Sequence, residues 1–453
     1  MPAQKRNRKK SLKVKNNQKV IIAGGGLAGC EAAYQLALRN IPSVIKEMRP
    51  VRMTPVHKTD HLAELVCSNS LKSENPFCAN GILLKEMRKL NSLVLQAAEY
   101  ARVPAGQALA VDRSLMSEYA EKKLAETGLV SIEREEITEI PEERPCIIAT
   151  GPMTSQTLSK AISDRIGSGY FYFYDAVSPV VSEESIDKDL SFKASRYGKG
   201  DAEYINCPMN KEEYDAFLEA LLSAERVEEK EYEQKFFEGC LPVEEIASRG
   251  YDTLRFGPMK PVGLPDPKTG QEPYAAVQLR QENKEGTMFN LVGFQTRLKW
   301  PEQKKVFSMI PALKNAEFLR LGVMHRNIFV NAPSVMTATG ETSCEKGLFI
   351  AGQLSGVEGY VESSASGILC GINAARMING EKMLEFPEET AIGSLMKYIT
   401  TADAKHFQPM NINMGLFPPA GIRAKKQERY RRIAEKAEKA FDEFAEENLK
   451  RGL

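Results

Sequence analysis

The pattern of apolar and polar positions near the start of the chain predicts a strand, a turn and a helix. Residues 20–23 form a short apolar run, and residues 30–39 carry apolar side chains at helical spacing. A second strand is predicted at 43–46 and leads to Glu47. Between the first run and the helix lies a glycine-rich stretch, Gly24, Gly25, Gly26, Leu27, Ala28 and Gly29. We expect these residues to form the first strand–helix–strand unit of a doubly wound α/β fold.

Similar patterns continue along the chain. Residues 81–102 predict one amphipathic helix, and residues 109–113 predict a strand that leads into a helix at 114–127. The stretch 51–84 is polar and long for a connection, so we expect it near a ligand. Further helices are predicted at 211–224, 363–378 and 422–453, and further strands at 146–148, 274–280, 290–296 and 347–350.

The residue composition and the strand pattern change near residue 177, and this change predicts a second domain inserted into the first. From there to residue 321 the chain is rich in aromatic residues, alternating strand patterns and Pro-Gly turns. With 453 residues the chain is also too long for a single core. We therefore predict a leader at 1–19, a Rossmann-like domain at 20–176 that resumes at 322–453 and ends in a helix, and an α+β insertion domain at 177–321.

Composition and charge narrow the class of protein. The chain is 42% hydrophobic and 27% charged, with a net charge of +1, as is usual for soluble globular proteins. It has no apolar run of membrane-spanning length and no secretory signal, so we predict a cytoplasmic protein without membrane contact. Residues 5–19 hold eight basic residues and no acid. This leader is either a polyanion-binding tail or a solvated extension. The sequence fits a monomer and a dimer equally well.

The eight cysteines contain no C-x-x-C pair, so the sequence predicts neither a metal site nor a disulfide framework. Two of them, Cys67 and Cys240, lie in polar loops with glycine or serine neighbours. On the residues alone, either thiol is more often structural than reactive. Four of the remaining cysteines lie in apolar or helical contexts and are expected to be structural: Cys30, Cys146, Cys344 and Cys370. The roles of Cys78 and Cys207 are left undecided.

The glycine-rich stretch indicates a nucleotide site. The glycines at 24, 26 and 29 match G-x-G-x-x-G, whose members allow a tight turn, close approach of a pyrophosphate and helix-on-strand packing. Glu47, with Met48 and Arg49 beside it, stands where an acid accepts hydrogen bonds from ribose hydroxyls. A later strand ends in Ala149, Thr150 and Gly151, which either return beneath the pyrophosphate or form an ordinary turn.

A second glycine turn and helix lie far along the chain. Its candidate cofactor-binding residues are Gly352, Gln353, Gly359, Ser363 and Ser364, at a helix start whose N–H groups suit an anionic group or a polarised flavin carbonyl. Because two distant segments share this pattern, we predict one large cofactor across both, FAD rather than NAD. No second complete glycine motif follows a strand, so we expect no separate nicotinamide domain.

Several uncommon strings occur in order along the chain. They include Glu47-Met48-Arg49-Pro50, the run 64–70 around Cys67, the run 237–240 ending in Cys240, the run 256–263, the run 322–327 and the run 356–363. In these strings the chain closely resembles the folate- and FAD-dependent tRNA (uracil-5-)-methyltransferases, over residues 20 to about 419. The resemblance implies an FAD domain interrupted by an insertion domain and an enzyme that methylates the T-loop uridine of tRNA. It also implies methylenetetrahydrofolate as carbon donor, reduced FAD as reductant and methylene carrier, and NAD(P)H as the source of electrons.

The same resemblance implies catalytic roles for Cys67 and Cys240. Carbon 5 of uracil becomes nucleophilic once a thiolate adds to carbon 6, and a base then removes the carbon-5 proton. We favour Cys240 slightly as the nucleophile, with Cys67 as acid, base or second thiol. His57 is carried over as a substrate residue, although Lys58 stands where the family often has another histidine. Three further candidates for folate or flavin contact are Arg280, His325 and Asn327. The alternative is that they are polar residues with a purely structural role.

Other functions remain open on the sequence alone. The same chemistry on ribosomal RNA is one. A flavin oxidoreductase acting on a small metabolite, in which Cys67 and Cys240 are incidental, is another, and a non-catalytic RNA-binding protein with a vestigial fold is a third.

Overall fold

The computed structural model describes residues 19–167, 170–176, 178–198, 203–227, 241–281, 286–322, 324–405, 407–419 and 425–449. For residues 170–176 and 324–327 it describes the backbone only. Three of the sequence predictions therefore concern parts outside the described residues: the basic leader before Lys19, the thiol of Cys240, and the side chains of His325 and Asn327.

Sixteen strands occur in the described residues. They are β1 Val20–Ala23, β2 Ser43–Glu47, β3 Ser70–Ser73, β4 Arg102–Val103, β5 Ala108–Val111, β6 Val130–Arg134, β7 Cys146–Ile148, β8 Tyr170–Ala176, β9 Val180–Ser182, β10 Phe192–Lys193, β11 Ile205–Met209, β12 Ala275–Gln281, β13 Met288–Leu291, β14 Phe318–Arg320, β15 Met324–Val330 and β16 Leu348–Ile350.

The same part of the chain forms thirteen α-helices. They are α1 Leu27–Ala37, α2 Ala79–Lys89, α3 Leu93–Tyr100, α4 Arg113–Glu126, α5 Gln156–Ile166, α6 Lys211–Ser223, α7 Val243–Ser248, α8 Thr253–Phe256, α9 Trp300–Phe307, α10 Ala332–Val335, α11 Tyr360–Ile378, α12 Ala391–Thr401 and α13 Lys426–Asn448.

A five-stranded parallel sheet organises the first and last parts of the chain. Its order is β16-β7-β1-β2-β6, and Ile22 of β1 lies opposite Ile45 of β2 and Ile147 of β7. These three isoleucines are fully buried, as expected for parallel strands with both faces covered. The predicted Rossmann-like α/β class is therefore confirmed, and β16, far along the chain, completes the sheet begun by β1.

Helices α1 and α11 pack closely because two glycines lie between them. A Cβ atom on Gly367 would lie 2.2 Å from the carbonyl oxygen of Ala28, and one on Gly371 would lie 2.7 Å from that of Ala32. No side chain fits at these distances. The small residues at the start of α11 thus bring the second glycine turn against the first.

The chain between these segments forms a second sheet with its own core. Six strands pair antiparallel in the order β10-β11-β12-β13-β9-β14. Phe294 packs against Phe217 of α6 and Phe307 of α9, with ring centroids 6.2 and 5.6 Å apart. The chain leaves the first sheet through β8 and returns through β15, and these two strands pair antiparallel over seven residue pairs.

The single helix predicted at 81–102 is wrong. The structure has α2 and α3 instead, because Asn91 adopts a left-handed conformation with φ 55° and the Ser92 side chain accepts a hydrogen bond from Leu95 N–H. The buried Glu31 carboxylate accepts two more, from Leu93 and Val94 N–H. The apolar spacing is unbroken across this corner, so periodicity alone did not show it.

Two smaller expectations also fail. The strand predicted at 290–296 ends at Leu291, because the chain turns at Gly293 with φ 78°. Cys344, expected in an apolar context, is exposed.

Among the described residues, no helix combines the length and apolar character needed to cross a bilayer.

A nucleotide cleft beside a cysteine loop

A cleft of about 1050 Å³ opens at the carboxyl ends of the parallel strands. This edge is where open α/β sheets bind ligands. The structure brings together here most of the residues that the sequence singled out, namely Gly24, Gly26, Leu27, Ala28, Glu47, Met48, Arg49, His57, Ala149, Thr150, Gly151, Gly352, Gln353 and Ser363.

In the turn after β1, each position of the motif has its own structural reason for being glycine. Gly24 has φ 100°, and a Cβ there would lie 2.6 Å from the Ala149 carbonyl oxygen. A Cβ on Gly29 would lie 1.9 Å from the carbonyl oxygen of Gly24, so this position lets α1 sit against the turn. A Cβ on Gly26 would meet nothing within 4 Å. Gly26 therefore leaves open the space in which a pyrophosphate would lie.

The acid at the end of β2 is held by charge and by the turn itself. Glu47 accepts hydrogen bonds from Gly25 N–H at 2.8 Å and from Arg49 Nε at 2.9 Å. Burial opposes ionisation of Glu47, but the hydrogen bonds and charge of Arg49 outweigh it and lower the pKa of this carboxyl. Arg49 also reaches Glu64 Oε2 at 2.9 Å. A buried carboxylate–guanidinium–carboxylate cluster thus fixes the loop that follows β2.

The second glycine turn completes the cleft from the other chain segment. Gly352, with φ 74°, donates its N–H to Ser366 Oγ at 2.7 Å. Ser363 lines the cleft, whereas Ser364 is fully buried and donates its hydroxyl to the Tyr360 carbonyl oxygen. Of the two serines proposed for cofactor contact, only Ser363 therefore faces the cleft.

Three more proposed residues lie just outside the lining. Gly25 and Gly29 belong to the turn and its packing, as described above. Gly359 precedes α11 with φ 109°, and a Cβ there would lie 2.3 Å from Glu362 Oε2. The ring of His57 does reach the cleft, and its Nδ1 lies 2.6 Å from Thr54 Oγ1.

The loop that carries Cys67 is fixed by Tyr360, the first residue of α11. The Tyr360 hydroxyl accepts hydrogen bonds from Cys67 N–H at 2.6 Å and from Ser68 N–H at 3.1 Å. Burial, with the nearby Cys67 adding to it, raises the pKa of Tyr360. The hydroxyl therefore stays protonated. Since Tyr360 and Val66 both line the cleft, half-buried Cys67 lies directly beside it.

Other contacts tie the same loop to α4 and to the second sheet. The Arg113 guanidinium donates to the Leu65 and Cys67 carbonyl oxygens, at 3.0 and 3.3 Å. From the second sheet, Arg280 donates to Ser68 Oγ at 2.9 Å. Arg280, proposed from the sequence as a substrate residue, thus contacts the neighbour of Cys67.

Asn69 is fully buried and joins β5, the central strand of a small three-stranded sheet β3-β5-β4, to the second sheet. Its amide nitrogen donates to the Val111 carbonyl oxygen at 3.0 Å and to that of Gln281 at 2.8 Å. Its amide oxygen accepts from Arg280 at 3.0 Å and from Asn290 at 3.2 Å. All the hydrogen-bonding capacity of one side chain is used in holding the cysteine loop between the sheets.

Five of the other described cysteines, all except the exposed Cys344, lie in environments that suit a structural role. Burial raises the pKa of Cys146 and of Cys207 to about 12. It also raises the pKa of Cys30 and Cys370, so all four thiols keep their protons. Cys78 caps α2 by accepting a hydrogen bond from Gly81 N–H at 3.3 Å.

Sequence reasoning missed several residues of the site. Tyr360, Thr54 and Glu64 line the cleft, yet none was singled out. Tyr360 stands in one of the uncommon strings, but its contact with Cys67 spans 293 residues, and no spacing rule reveals such a pair.

The parallel sheet, the glycine turns and the cleft define a flavoprotein with the FAD-binding fold of GidA. In agreement, the family model described as Glucose inhibited division protein A matches residues 19–382. The solved structure of Aquifex aeolicus GidA, form II crystal, superposes with a TM-score of 0.68 at 18% identity, covering 94% of this chain and 73% of that one.

Much closer relatives narrow the family. The methylenetetrahydrofolate–tRNA-(uracil-5-)-methyltransferase TrmFO of Heliobacterium modesticaldum is 55% identical over 432 residues, which is 95% of this chain and 98% of the relative. The protein of the same name from Enterococcus faecalis is 56% identical over 423 residues, which is 93% of this chain and 97% of the relative. The chain belongs to the TrmFO family, and the resemblance described from its sequence is confirmed.

Proposed function

We propose that the protein methylates carbon 5 of a uridine in the T loop of tRNA, with methylenetetrahydrofolate as carbon donor, FAD as redox group and NAD(P)H as reductant. The observation that carries this proposal is the hydrogen bond between Tyr360, which lines the nucleotide cleft, and the backbone N–H of the half-buried Cys67. Membership of the TrmFO family supports it, and a tRNA substrate would make the site of action cytoplasmic.

The residues of the cleft fit FAD. A Cβ added at position 26 or 151 would have no atom within 4 Å, so the backbone of both turns is open to a pyrophosphate. Glu47 is ionised beside Arg49 and suits ribose hydroxyls. The N–H groups at the start of α11 suit a polarised carbonyl. When bound and reduced, FAD would supply electrons and carry the one-carbon unit.

The chain's own residues then act on the uridine. One cysteine thiolate forms a bond to carbon 6, which makes carbon 5 nucleophilic toward the one-carbon unit. The carbon-5 proton leaves to a base, and the sulfur–carbon bond breaks to restore the ring. We assign these roles to Cys240 and Cys67, with Cys240 favoured slightly as nucleophile. His57, Arg280, His325 and Asn327 are our candidates for contact with the substrates.

Two structural units would share this work. We propose that residues 20–176 and 322–453 form the FAD-binding domain and that residues 177–321 form an insertion domain. The separate cores around the parallel and antiparallel sheets support this division. In this arrangement Cys67 comes from the first unit and Cys240 from the second.

The test is covalent trapping. The yellow holoenzyme is incubated with T-arm RNA containing 5-fluorouridine, methylenetetrahydrofolate and NADPH, and a protein–RNA band is sought. Methylation of tRNA and ribosomal RNA transcripts is compared in parallel. We expect the band and tRNA methylation in the wild type and in the control Cys344→Ala, whose thiol is exposed. Both should be lost in the variant of whichever cysteine is the nucleophile.

The proposal fails if the wild type is colourless and forms no band. It also fails if NAD(P)H oxidation is independent of RNA and survives Cys67→Ala and Cys240→Ala, which would indicate a small-molecule oxidoreductase.

A further inference from the structure

A second cleft, of about 1320 Å³, adjoins the nucleotide cleft. Val56, Glu64 and Val66 line both clefts, so the loop just before Cys67 forms their common wall. The opposite wall comes from α9 and β14 of the second sheet. The second cleft therefore runs between this loop with the start of α4 on one side and α9 with β14 on the other, and it ends at the loop that carries the candidate catalytic thiol.

The charges that line this cleft are mostly positive. Lys58, Arg113, Lys304 and Arg320 contribute cationic groups. The one carboxylate in the lining, Glu64, forms an ion pair with Arg49. A fifth basic side chain, His61, lies 2.8 Å from Glu121 and adds little.

Two of these cations are available to a ligand. Lys58 and Lys304 are exposed, and within the described part of the chain neither ammonium group has an acidic partner. A cleft with this excess of positive charge attracts polyanions.

Trp300 adds a feature that charge alone does not require. It is the only tryptophan of the chain and is 61% exposed. As the first residue of α9 it stands one turn before Lys304, so an indole and an ammonium group share one helix face. An exposed aromatic face beside cations is the usual platform for an unpaired nucleobase and its phosphates.

Resting on the proposed function, we propose that this cleft binds an unpaired stretch of the RNA substrate. One base stacks on Trp300, and the flanking phosphates lie against Lys58 and Lys304. The strand then leads along the wall formed by Val56 and Val66 toward Cys67. An anionic small molecule, such as the glutamate tail of a folate, would use the cations but has no use for the indole.

The test uses Trp300 itself as the reporter. The FAD-loaded holoenzyme is titrated with a T-arm hairpin RNA, and the quenching of tryptophan fluorescence is compared with affinity measured by filter binding. We expect the RNA to quench Trp300, and Trp300→Ala to weaken RNA binding roughly 5- to 100-fold. Trp300→Phe should retain most of the affinity, because its ring still stacks. The flavin spectrum and NADPH-dependent flavin reduction should be unchanged in both variants.

The lysines provide a matched pair on one helix. Lys304 lines the cleft, whereas its neighbour Lys305 does not and lies 3.6 Å from Glu302. Lys304→Ala should weaken RNA binding and reduce the slope of log affinity against log salt by about 0.7 to 0.9, the value for one lost phosphate contact. Lys305→Ala should leave both unchanged.

Three outcomes would overturn the inference. One is unaltered RNA affinity in Trp300→Ala and Lys304→Ala while the wild type binds and methylates RNA. A second is quenching by polyglutamylated folate and not by RNA. In the third, the wild-type holoenzyme binds no T-arm RNA at all, and then the proposed function fails as well.

Discussion

The glycine turn after β1 and the loop that carries Cys67 border the same cleft, yet they are built in different ways. In the turn, Gly29 and Glu47 act on neighbours in one strand–helix–strand unit, and Gly24 lies against Ala149, which follows β7. The Cys67 loop instead depends on Tyr360, Arg280 and Arg113, which come from distant parts of the chain. The glycine turn is therefore largely a local property of the sequence, whereas the position of the Cys67 loop is a property of the assembled fold. Substitutions in the two regions should thus have different consequences.

The largest effect is expected for Gly24→Ala. Its Cβ would meet the Ala149 carbonyl and force a positive φ on alanine, which should cost roughly 3–4 kcal/mol of folding free energy and abolish flavin binding. Gly26→Ala is the matched control, because its Cβ meets no protein atom. It should keep wild-type stability and lose flavin only. Thermal unfolding and bound-flavin absorbance separate the two, and equal stability of both variants would contradict the structural account of the turn.

The next effect is expected for Asn69→Ala. It removes four hydrogen bonds that join β5 to β12 and β13, at a cost of roughly 2–3 kcal/mol. Flavin should remain bound, since Asn69 does not line the nucleotide cleft, while RNA trapping should fall sharply. Denaturant unfolding and the trapping assay measure the two results. Asn69→Asp keeps the acceptor for Arg280 but loses both donor bonds, so intermediate stability is expected. Loss of flavin in either variant would remove the distinction between the two regions.

A smaller effect is expected for Tyr360→Phe. The ring stays, but the N–H groups of Cys67 and Ser68 lose their acceptor, which should cost about 1–2 kcal/mol. Because the loop then moves relative to the cleft, methylation should slow by about 10-fold, which corresponds to 1.4 kcal/mol. Single-turnover methylation with saturating flavin is the measurement. An unchanged rate would show that the hydroxyl does not position the thiol.

A different kind of effect, on the pH dependence of stability, is expected from two buried carboxylates. Glu47, beside Arg49, has a lowered pKa, whereas burial raises the pKa of Glu86 to about 8. Because folded Glu86 holds its proton more tightly than the unfolded chain, its contribution to stability is complete below about pH 4.5 and is lost as pH rises toward 8.

Glu86→Gln tests this difference. Over that pH range it should remove a decline in stability of a few kcal/mol, at most about 5 kcal/mol for a pKa raised from 4.5 to about 8, and urea unfolding at several pH values would show it. An amide still accepts a hydrogen bond at the start of α12, where Glu86 accepts from Ala391 and Ile392 N–H. If the free energy of unfolding declined equally steeply with pH in wild type and variant, the decline would be due to other titrating groups.

The contrast between the regions also explains what the sequence could predict. The bounds of β1 and the packing of Gly29 against Gly24 follow from nearest neighbours, so a spacing rule was enough. Asn91 ends α2 through its left-handed backbone, and no apolar position signals it. Tyr360 and Cys67 are 293 residues apart in the sequence, with all the strands of the second sheet between them, so no local pattern indicates their contact. Local chemistry identified the nucleotide site, and the family resemblance was needed to single out Cys67.

The interleaving of α1 with α11 has a consequence for synthesis. Strands β1, β2 and β7 leave the ribosome long before Leu348 begins the last strand of the sheet, and the entire antiparallel sheet is made in the interval. A nascent chain therefore presents half a cleft with apolar edges during this time, and domains that fold as units do so only once their segments are available. Binding of the cofactor should therefore be among the last events in the synthesis and folding of the protein. A ribosome stalled before residue 347 should hold a colourless chain.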